Sequence, residues 1–465
     1  MSAPFLWILL PLFISGFLLF LRAERTILIL GLATSILLTV LALIVPINEA
    51  LLIGPFSFKL EGSLSIFGRS LTFAKADGSL LALNYGLATV WFLGAEPLGL
   101  TRRLVPAGLA TLALLIASTA VQPFLYAALL IEVAILLAVP MLLPLNQPPG
   151  RGLKLFLIYQ TLAMPFILFA GWILAGVESS PGDAALTTQA TAMLAVGFAF
   201  LLGTFPLYVW IPALMEEVHT YPASFLLWIL PQTTLFFLMN FINRYIFLRV
   251  SPDLFELLRA MGLVMIVTAG LWAAFQTNLG RMFGYFIAAE TGLLLTALSL
   301  GTSTGVQAAF LQLIPRGLTI LIWALCLSLL RAQVDTPRFS QIQGAMRIVP
   351  FAVSGLVLAG LTVAGFPLLA EFPSRLLIME ELASTSLEQL LALLVGILGL
   401  LAGTIRTLAV SVMAPPESPW ESRESRVQAV FILSGAIALL LLGLFPQAMH
   451  PLVENLSLLY EHIGQ

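Results

Sequence analysis

Long apolar stretches alternate with short polar interruptions along the whole chain. Runs of about twenty apolar residues, the length a helix needs to cross hydrocarbon, predict about fourteen spanning helices. They fall at 3–21, 26–46, 79–97, 104–121, 123–144, 153–176, 188–214, 222–246, 254–276, 280–301, 305–330, 348–379, 387–412 and 427–448. One interval departs from this pattern. In "GPFSFKLEGSLSIFGRSLTFAKADGS", residues 54–79, Phe, Leu and Ile alternate with polar residues between glycine turns, which predicts a short β-hairpin on the membrane surface. The expected architecture is all-α and polytopic, a single membrane domain over 1–465. Within it, 1–103 holds the N-terminal helices and the hairpin, 104–246 and 254–412 form two five-helix units, and 413–465 holds the last helix and a tail.

Composition agrees with a lipid solvent. Of 465 residues, 60% are hydrophobic and 9% charged, against about 25% charged in an ordinary soluble domain. A net charge of −2 excludes a strongly basic nucleic-acid binder. The single cysteine, Cys326, offers neither a disulfide nor a cysteine-based metal site, and His219, His450 and His462 are too scattered for a zinc cluster. No phosphate-cradling glycine loop or nucleophile–base pair stands out, so neither a cofactor nor a metal is expected. The start, "MSAPFLWILLPLFISGFLLF", lacks a basic segment before its apolar run and reads as a retained first span. If both termini face outward, twelve Lys and Arg side chains lie on the inner loops. Five lie outside: Lys59, Arg69, Lys75, Arg244 and Arg249. The positive-inside bias therefore favours termini on the outer side.

A short motif occurs twice. "FPLYVWIP" at 205–212 is echoed by "FPLLAEFP" at 366–373. The first lies in the seventh predicted span and the second in the twelfth, so an odd number of crossings separates them. The two units then face opposite ways, as an inverted-topology repeat requires; chance matching in a Pro- and Phe-rich chain is the competing explanation. Proline removes a helical hydrogen bond and clashes with the preceding turn, and carbonyls freed in hydrocarbon must find partners in protein or water. Pro206 and Pro212, with Pro367 and Pro373, therefore predict broken helices that expose polar backbone at mid-membrane depth. A simple packing kink is the plainer alternative for either helix alone.

Ionisable residues inside spans are costly and mark function by default. Glu132 sits alone in "YAALLIEVAILLAVP", the fifth span; a neutral glutamate bonded to a neighbouring helix is its structural alternative. Glu290, in "FGYFIAAETGLLLTA", lies five spans later at nearly the interval of the proline motif, which makes the two candidate repeat partners. Arg316, in "LQLIPRGLTILIW", needs a counter-charge, and Glu290 on the adjacent span is the candidate. Glu371 and Arg375 share a face if the helix persists there. Arg406 is expected either to partner Glu371 or to snorkel to the inner surface. Glu216, Glu217 and His219 form a turn at the membrane boundary, read equally as a solvated loop or as a proton entrance, with His219 more readily a plain surface residue.

Taken together, these residues resemble a family: the antiporter-like subunits of respiratory complex I and the related large subunits of Mrp-type sodium/proton antiporters. "PLYVWIP" (206–212) resembles the family's helix 7 pattern, with Tyr208 where a histidine is usual. "EEVHTYPAS" (216–224) resembles the turn leading into helix 8, and "AEFPSRLLIMEE" (370–381) the helix 12 segment, with Glu371 at the ionisable position. Glu132 matches the helix 5 glutamate. The resemblance implies fourteen helices, inverted five-helix repeats, broken helices 7 and 12, and an early surface hairpin. It also implies intramembrane lysines that this chain lacks. Leu201 stands at the helix 7 lysine position and Gln232, in "ILPQTTLFF", near that of helix 8, while Glu290 and Arg316 stand where histidines are usual.

The expected function is that of a membrane-arm subunit of a complex I-like (NADH:quinone oxidoreductase) or Mrp-like assembly in the cell membrane, moving protons or sodium together with partner subunits. Glu132 would switch at a subunit boundary, Glu290 and Glu371 would carry protons, and Arg316 and Arg406 would tune them. Redox cofactors are not expected in this chain. The missing lysines keep a second expectation open, a non-pumping scaffold of the same fold. A stand-alone transporter of a small solute is the third.

Overall fold

A computed structural model gives the structure and describes residues 2–53, 56–66, 68–143, 148–180, 183–334, 336–413, 420–460 and 462–463. The chain is built almost wholly of helices. Among the described residues, twelve are long and apolar enough to cross a membrane, and two shorter apolar helices, Phe5–Phe20 and Pro350–Val363, accompany them. The predicted spans correspond to these elements with shifts of a few residues at their ends. In hydrocarbon only a helix or a closed barrel can satisfy every backbone polar group, so continuous apolar runs translate directly into helices.

The helices sort by depth. The most apolar windows of Thr220–Arg244 and Leu279–Ser299 are each 94% buried and that of Ser303–Arg331 is 89% buried, whereas that of Arg426–Leu444 is 11% buried. The first three form the centre of the bundle, and the last displays its apolar side chains outward. Rings lock the centre together. Trp91 packs on Tyr221, Phe225 and Trp228 of Thr220–Arg244, and Trp323 lies between Phe283 and Phe286.

Two regions differ from expectation. The stretch predicted as one hairpin holds parts of two antiparallel pairs. Ala50–Ile53 pairs with Phe56–Lys59, and Ser63–Ile66 pairs with Arg69–Thr72, to which Val121–Gln122 adds a third strand. Gly68, with φ +73°, turns the second pair; residues 54–55, between the strands of the first, lie outside the described residues. The end of the interval is helical instead, because Asp77 opens the helix Asp77–Ala95. At the other terminus, the expected tail contains a helix, His450–Leu459, too short to register as a span.

Both proline motifs coincide with real breaks. The seventh predicted span is divided into Ala184–Leu202 and Trp210–Glu217, joined by a turn of 3-10 helix at Leu207–Val209. The twelfth is divided into Pro350–Val363 and Phe372–Thr385, after a short Ala345–Ile348 turn. Proline alone does not cause this, since Pro106, Pro140, Pro165 and Pro231 all sit inside continuous helices. What distinguishes the breaks is a left-handed glycine just before the proline. Gly203 has φ +58° and Gly365 φ +70°. Each is followed by the same closing bond: Thr204 N donates to Ala199 O at 2.9 Å, and Phe366 N to Leu361 O at 3.0 Å. The glycine stops the helix in the left-handed cap, and the proline prevents its resumption.

These caps predict a graded response. An alanine at either position costs roughly 1–2 kcal/mol for its left-handed backbone. At Gly203 a Cβ would meet the Trp210 indole nitrogen at 3.0 Å, whereas at Gly365 it would enter the space of the Arg375 stem. Gly365→Ala is therefore expected to lower the thermal unfolding midpoint of the detergent-solubilised protein more than Gly203→Ala, followed by tryptophan fluorescence.

Candidate functional site

The break in the twelfth span builds the most highly charged part of the interior. Glu371 becomes the N-cap of the half-helix Phe372–Thr385, and Arg375 follows one turn later. The helix does persist between them, with Arg375 N bonded to Glu371 O at 3.2 Å. Arg375 Nη2 then donates to two carboxylates at once: Glu371 Oε2 at 2.7 Å and Glu290 Oε1 at 2.5 Å. All three side chains are at most 2% exposed. Glu290 comes from the middle of the unbroken Leu279–Ser299 helix, and its second oxygen accepts from Gln312 Nε2 at 3.1 Å. Gln312 stands at the junction of Ser303–Leu311 and Leu313–Arg331.

Arg316 does not take Glu290 as its direct partner. Its guanidinium donates to the carbonyls of Trp228 at 2.9 Å and Leu227 at 3.1 Å. Pro231 explains the choice: lacking an N–H, it leaves the carbonyl four residues back, that of Leu227, without its helical bond. Arg316 supplies the donor that hydrocarbon cannot. The site thus gathers two carboxylates and two guanidinium groups, formally balanced, which is the condition for keeping charge in so dry a place. Glu371 Oε1, Arg375 Nε, Arg316 Nε and Gln312 Oε1 have no protein partner.

Around its own break, the first half of the chain carries neutral polar groups among the described residues. Gln232 Nε2 donates to Asn84 Oδ1 at 2.9 Å, with both residues buried. Leu201, at the expected lysine position, is buried, and its carbonyl accepts from Gln160 Nε2 at 3.1 Å. Tyr208 donates to Thr268 Oγ1 at 2.9 Å. Glu132 stands apart from the charged cluster. It is half-buried on Ala127–Leu142, beside exposed Leu129, Val133 and Leu136, and accepts from Thr161 Oγ1 at 2.6 Å.

The acidic turn is tied to its neighbours. Glu217 Oε2 accepts from Gly152 N at 2.7 Å, capping the start of Arg151–Ser179. Glu216 pairs with Arg281 at 3.3 Å and accepts from Asn278. Arg331 donates to the carbonyls of Met215 at 2.8 Å, Glu216 at 3.3 Å and Val218 at 2.9 Å, closing the end of Trp210–Glu217. His219 is exposed at the start of Thr220–Arg244. Burial of its inner edge, then the charges of Arg331 and Arg103, lowers its pKa from 6.5 to about 4; solvent on the outer edge moderates the size of the shift and not its direction. The ring is neutral at pH 7. Arg406 is not the partner of Glu371. It donates to the Ala274 carbonyl and lies 5.2 Å from the Phe339 ring centre, because the open end of Pro252–Phe275 lies within its reach.

Sequence reasoning paired Arg375 with Glu371 and missed its bond to Glu290, which links residues 85 positions apart. Gln312, one turn before Arg316, and Asn84, a lone amide in the third predicted span, were legible as polar interruptions and went unused.

The comparisons with known proteins agree with this architecture. Solved chains of the same fold include one from respiratory complex I of Thermus thermophilus, with TM-score 0.80, 17% identity, and coverage of 98% of this chain and 100% of that one. A chain of the Mrp complex from Dietzia sp. DQ12-45-1b gives TM-score 0.80 at 14% identity, with coverage of 99% and 97%. A chain of an archaeal membrane-bound sulfane sulfur reductase gives 0.80 at 16%, with coverage of 99% and 98%. The fold is that of these membrane chains of multisubunit complexes. Residues 179–402, just under half the chain, match the transmembrane family described as NADH:quinone oxidoreductase/Mrp antiporter. In sequence, the chain is 25% identical over 334 residues to NADH-quinone oxidoreductase subunit N of Ectopseudomonas mendocina, covering 66% of each. It is 25% identical over 309 residues to the same subunit of Mycobacteroides abscessus, covering 60% of this chain and 55% of that one. These alignments span less than two thirds of either relative's length.

Removing one member of a buried charge cluster strands the others. Arg375→Ala is expected to destabilise the protein by about 3–5 kcal/mol, read as loss of folded yield and a lowered unfolding midpoint. Arg406→Ala, outside the cluster, is expected to cost distinctly less in the same assay.

Proposed function

We propose that this chain is an antiporter-like membrane subunit that moves protons, or sodium, across the membrane as part of a complex I-like or Mrp-like assembly. The observation that carries the reading is Arg375 held between Glu290 and Glu371 at a helix break. Intramembrane ionisable groups mark ion paths, and a broken helix supplies the polar backbone that a path through hydrocarbon needs. Glu290 and Glu371 are the protonatable stations. Arg375 and Arg316 set the electrostatic cost of loading them, and Glu132 is the switching carboxylate facing a partner subunit. Glu216, Glu217 and His219 mark the end where ions approach, and Gln232 lies on the line between the halves. The two units, 104–246 and 254–412, are inverted repeats, supported by the shared left-handed glycine and closing bond at the two breaks. About fourteen crossings and termini on the outer side follow from the sequence count and the bias of basic residues.

A second reading has its own support. The neutral Gln232–Asn84 pair and the buried Leu201 leave the first half without a protonatable relay. A scaffold that keeps the fold and its subunit contacts but conducts nothing fits that half equally well.

Glu132→Gln and Glu371→Gln, introduced into the native assembly and reconstituted in vesicles, separate the two. The pathway predicts that proton uptake falls on the order of tenfold in each variant, equivalent to about 1.4 kcal/mol on the limiting barrier, with assembly intact on native gels. Uptake equal to wild type in both variants would leave the scaffold as the reading.

A further inference from the structure

Away from the charged cluster, the first break borders a second feature. A cavity of about 230 Å³ runs along the half-helix Ala184–Leu202, with Thr191 towards one end and Thr204, beside the break, at the other. The stretch from Thr191 to Leu202 spans about 16 Å at helical rise. Its walls are almost wholly apolar, Phe198, Phe241 and Leu295 among them, and the Thr191 hydroxyl is already bonded to Thr187 O at 2.8 Å. Water does not fill a cavity of this character, and leaving one of this size empty is strongly destabilising. Val196 and Leu257, both in its wall, are exposed on the bundle's outer surface, so the cavity communicates with the surrounding hydrocarbon.

The Thr191 end lies towards the connection between Thr220–Arg244 and Pro252–Phe275, which is a membrane boundary. Near it lies a more polar cavity of about 300 Å³. Leu248 lines the first cavity and Arg249, the next residue, lines the second; Leu254 and Phe255 divide in the same way. Arg249 forms no ion pair among the described residues. An apolar slot parallel to the helices, ending at a half-buried guanidinium at headgroup level, has the form of a single lipid. We propose that the slot holds one acyl chain of an anionic phospholipid whose phosphate pairs with Arg249. The chain braces Ala184–Leu202 up to the break, and the guanidinium–phosphate contact fixes the register of the headgroup.

Photolabelling tests this directly. The native protein, with the subunits that co-purify, is reconstituted in phosphatidylethanolamine vesicles doped with phosphatidylglycerol carrying a diazirine at the end of one chain. The expected result is label on the peptide containing 194–204, competed by excess unlabelled phosphatidylglycerol. Arg249→Gln and, independently, Ala195→Phe, which fills the slot, should each reduce it several-fold, while Thr204→Val leaves it unchanged. Label confined to outward helix faces, or undiminished by competitor, overturns the proposal. So does loss of label in Thr204→Val, which points to a ligand with a polar head at the deep end. Stronger labelling by an isoprenoid diazirine than by the phospholipid likewise assigns the slot to another occupant.

Discussion

Hydrocarbon donates no hydrogen bonds, and this one constraint organises the interior of the protein. At several places where a proline or a helix end frees a carbonyl, a long polar side chain from another helix comes to meet it. Gln160 reaches Leu201, Arg316 reaches Leu227 and Trp228, Arg331 closes the helix ending at Glu217, and Arg406 reaches Ala274. Several intramembrane arginines that look like parts of an ion path are thus first of all donors to backbone. Arg375 is the exception. It spends one nitrogen on two carboxylates, and that use sets the charged cluster apart from the other sites.

The two halves share a device and use it differently. Each breaks a helix with a left-handed glycine followed by proline, and each closes the broken end with the same backbone bond. In the second half the opened turn is filled by Glu371 and Arg375. In the first it is filled by Tyr208, Gln160 and apolar side chains, with a neutral amide pair nearby. Burying neutral amides is cheap once they are paired, whereas burying charge requires the full set of counter-charges in register. The first half therefore keeps the shape of a pathway without its electrostatic cost.

Most of the architecture was legible because membrane helices answer to length and apolarity alone. Both breaks were visible as well, from a repeated Phe-Pro-Leu with a second proline six residues on. The sheet region was less legible: a second strand pair and a third strand from Val121–Gln122 cannot be read from alternation within one stretch. Charge pairing was the hardest to foresee. Arg316 was assigned to Glu290 because the two lie on successive spans, but the missing N–H of Pro231 made a different acceptor available. Arg375 was seen only with Glu371, since its second partner depends on how the helices pack rather than on spacing along the chain.

Glu290 and Arg375 ride on very different supports. Glu290 projects from a continuous helix wedged in the middle of the bundle, while Arg375 is mounted on a short rod hinged at Gly365, and its stem lies against that glycine. A tilt of the rod moves a positive charge relative to a stationary acid and carries Glu371 along with it. The break and the charged pair it presents are the same few residues, so any change in the tilt of the rod would also change the distance between Arg375 and Glu290.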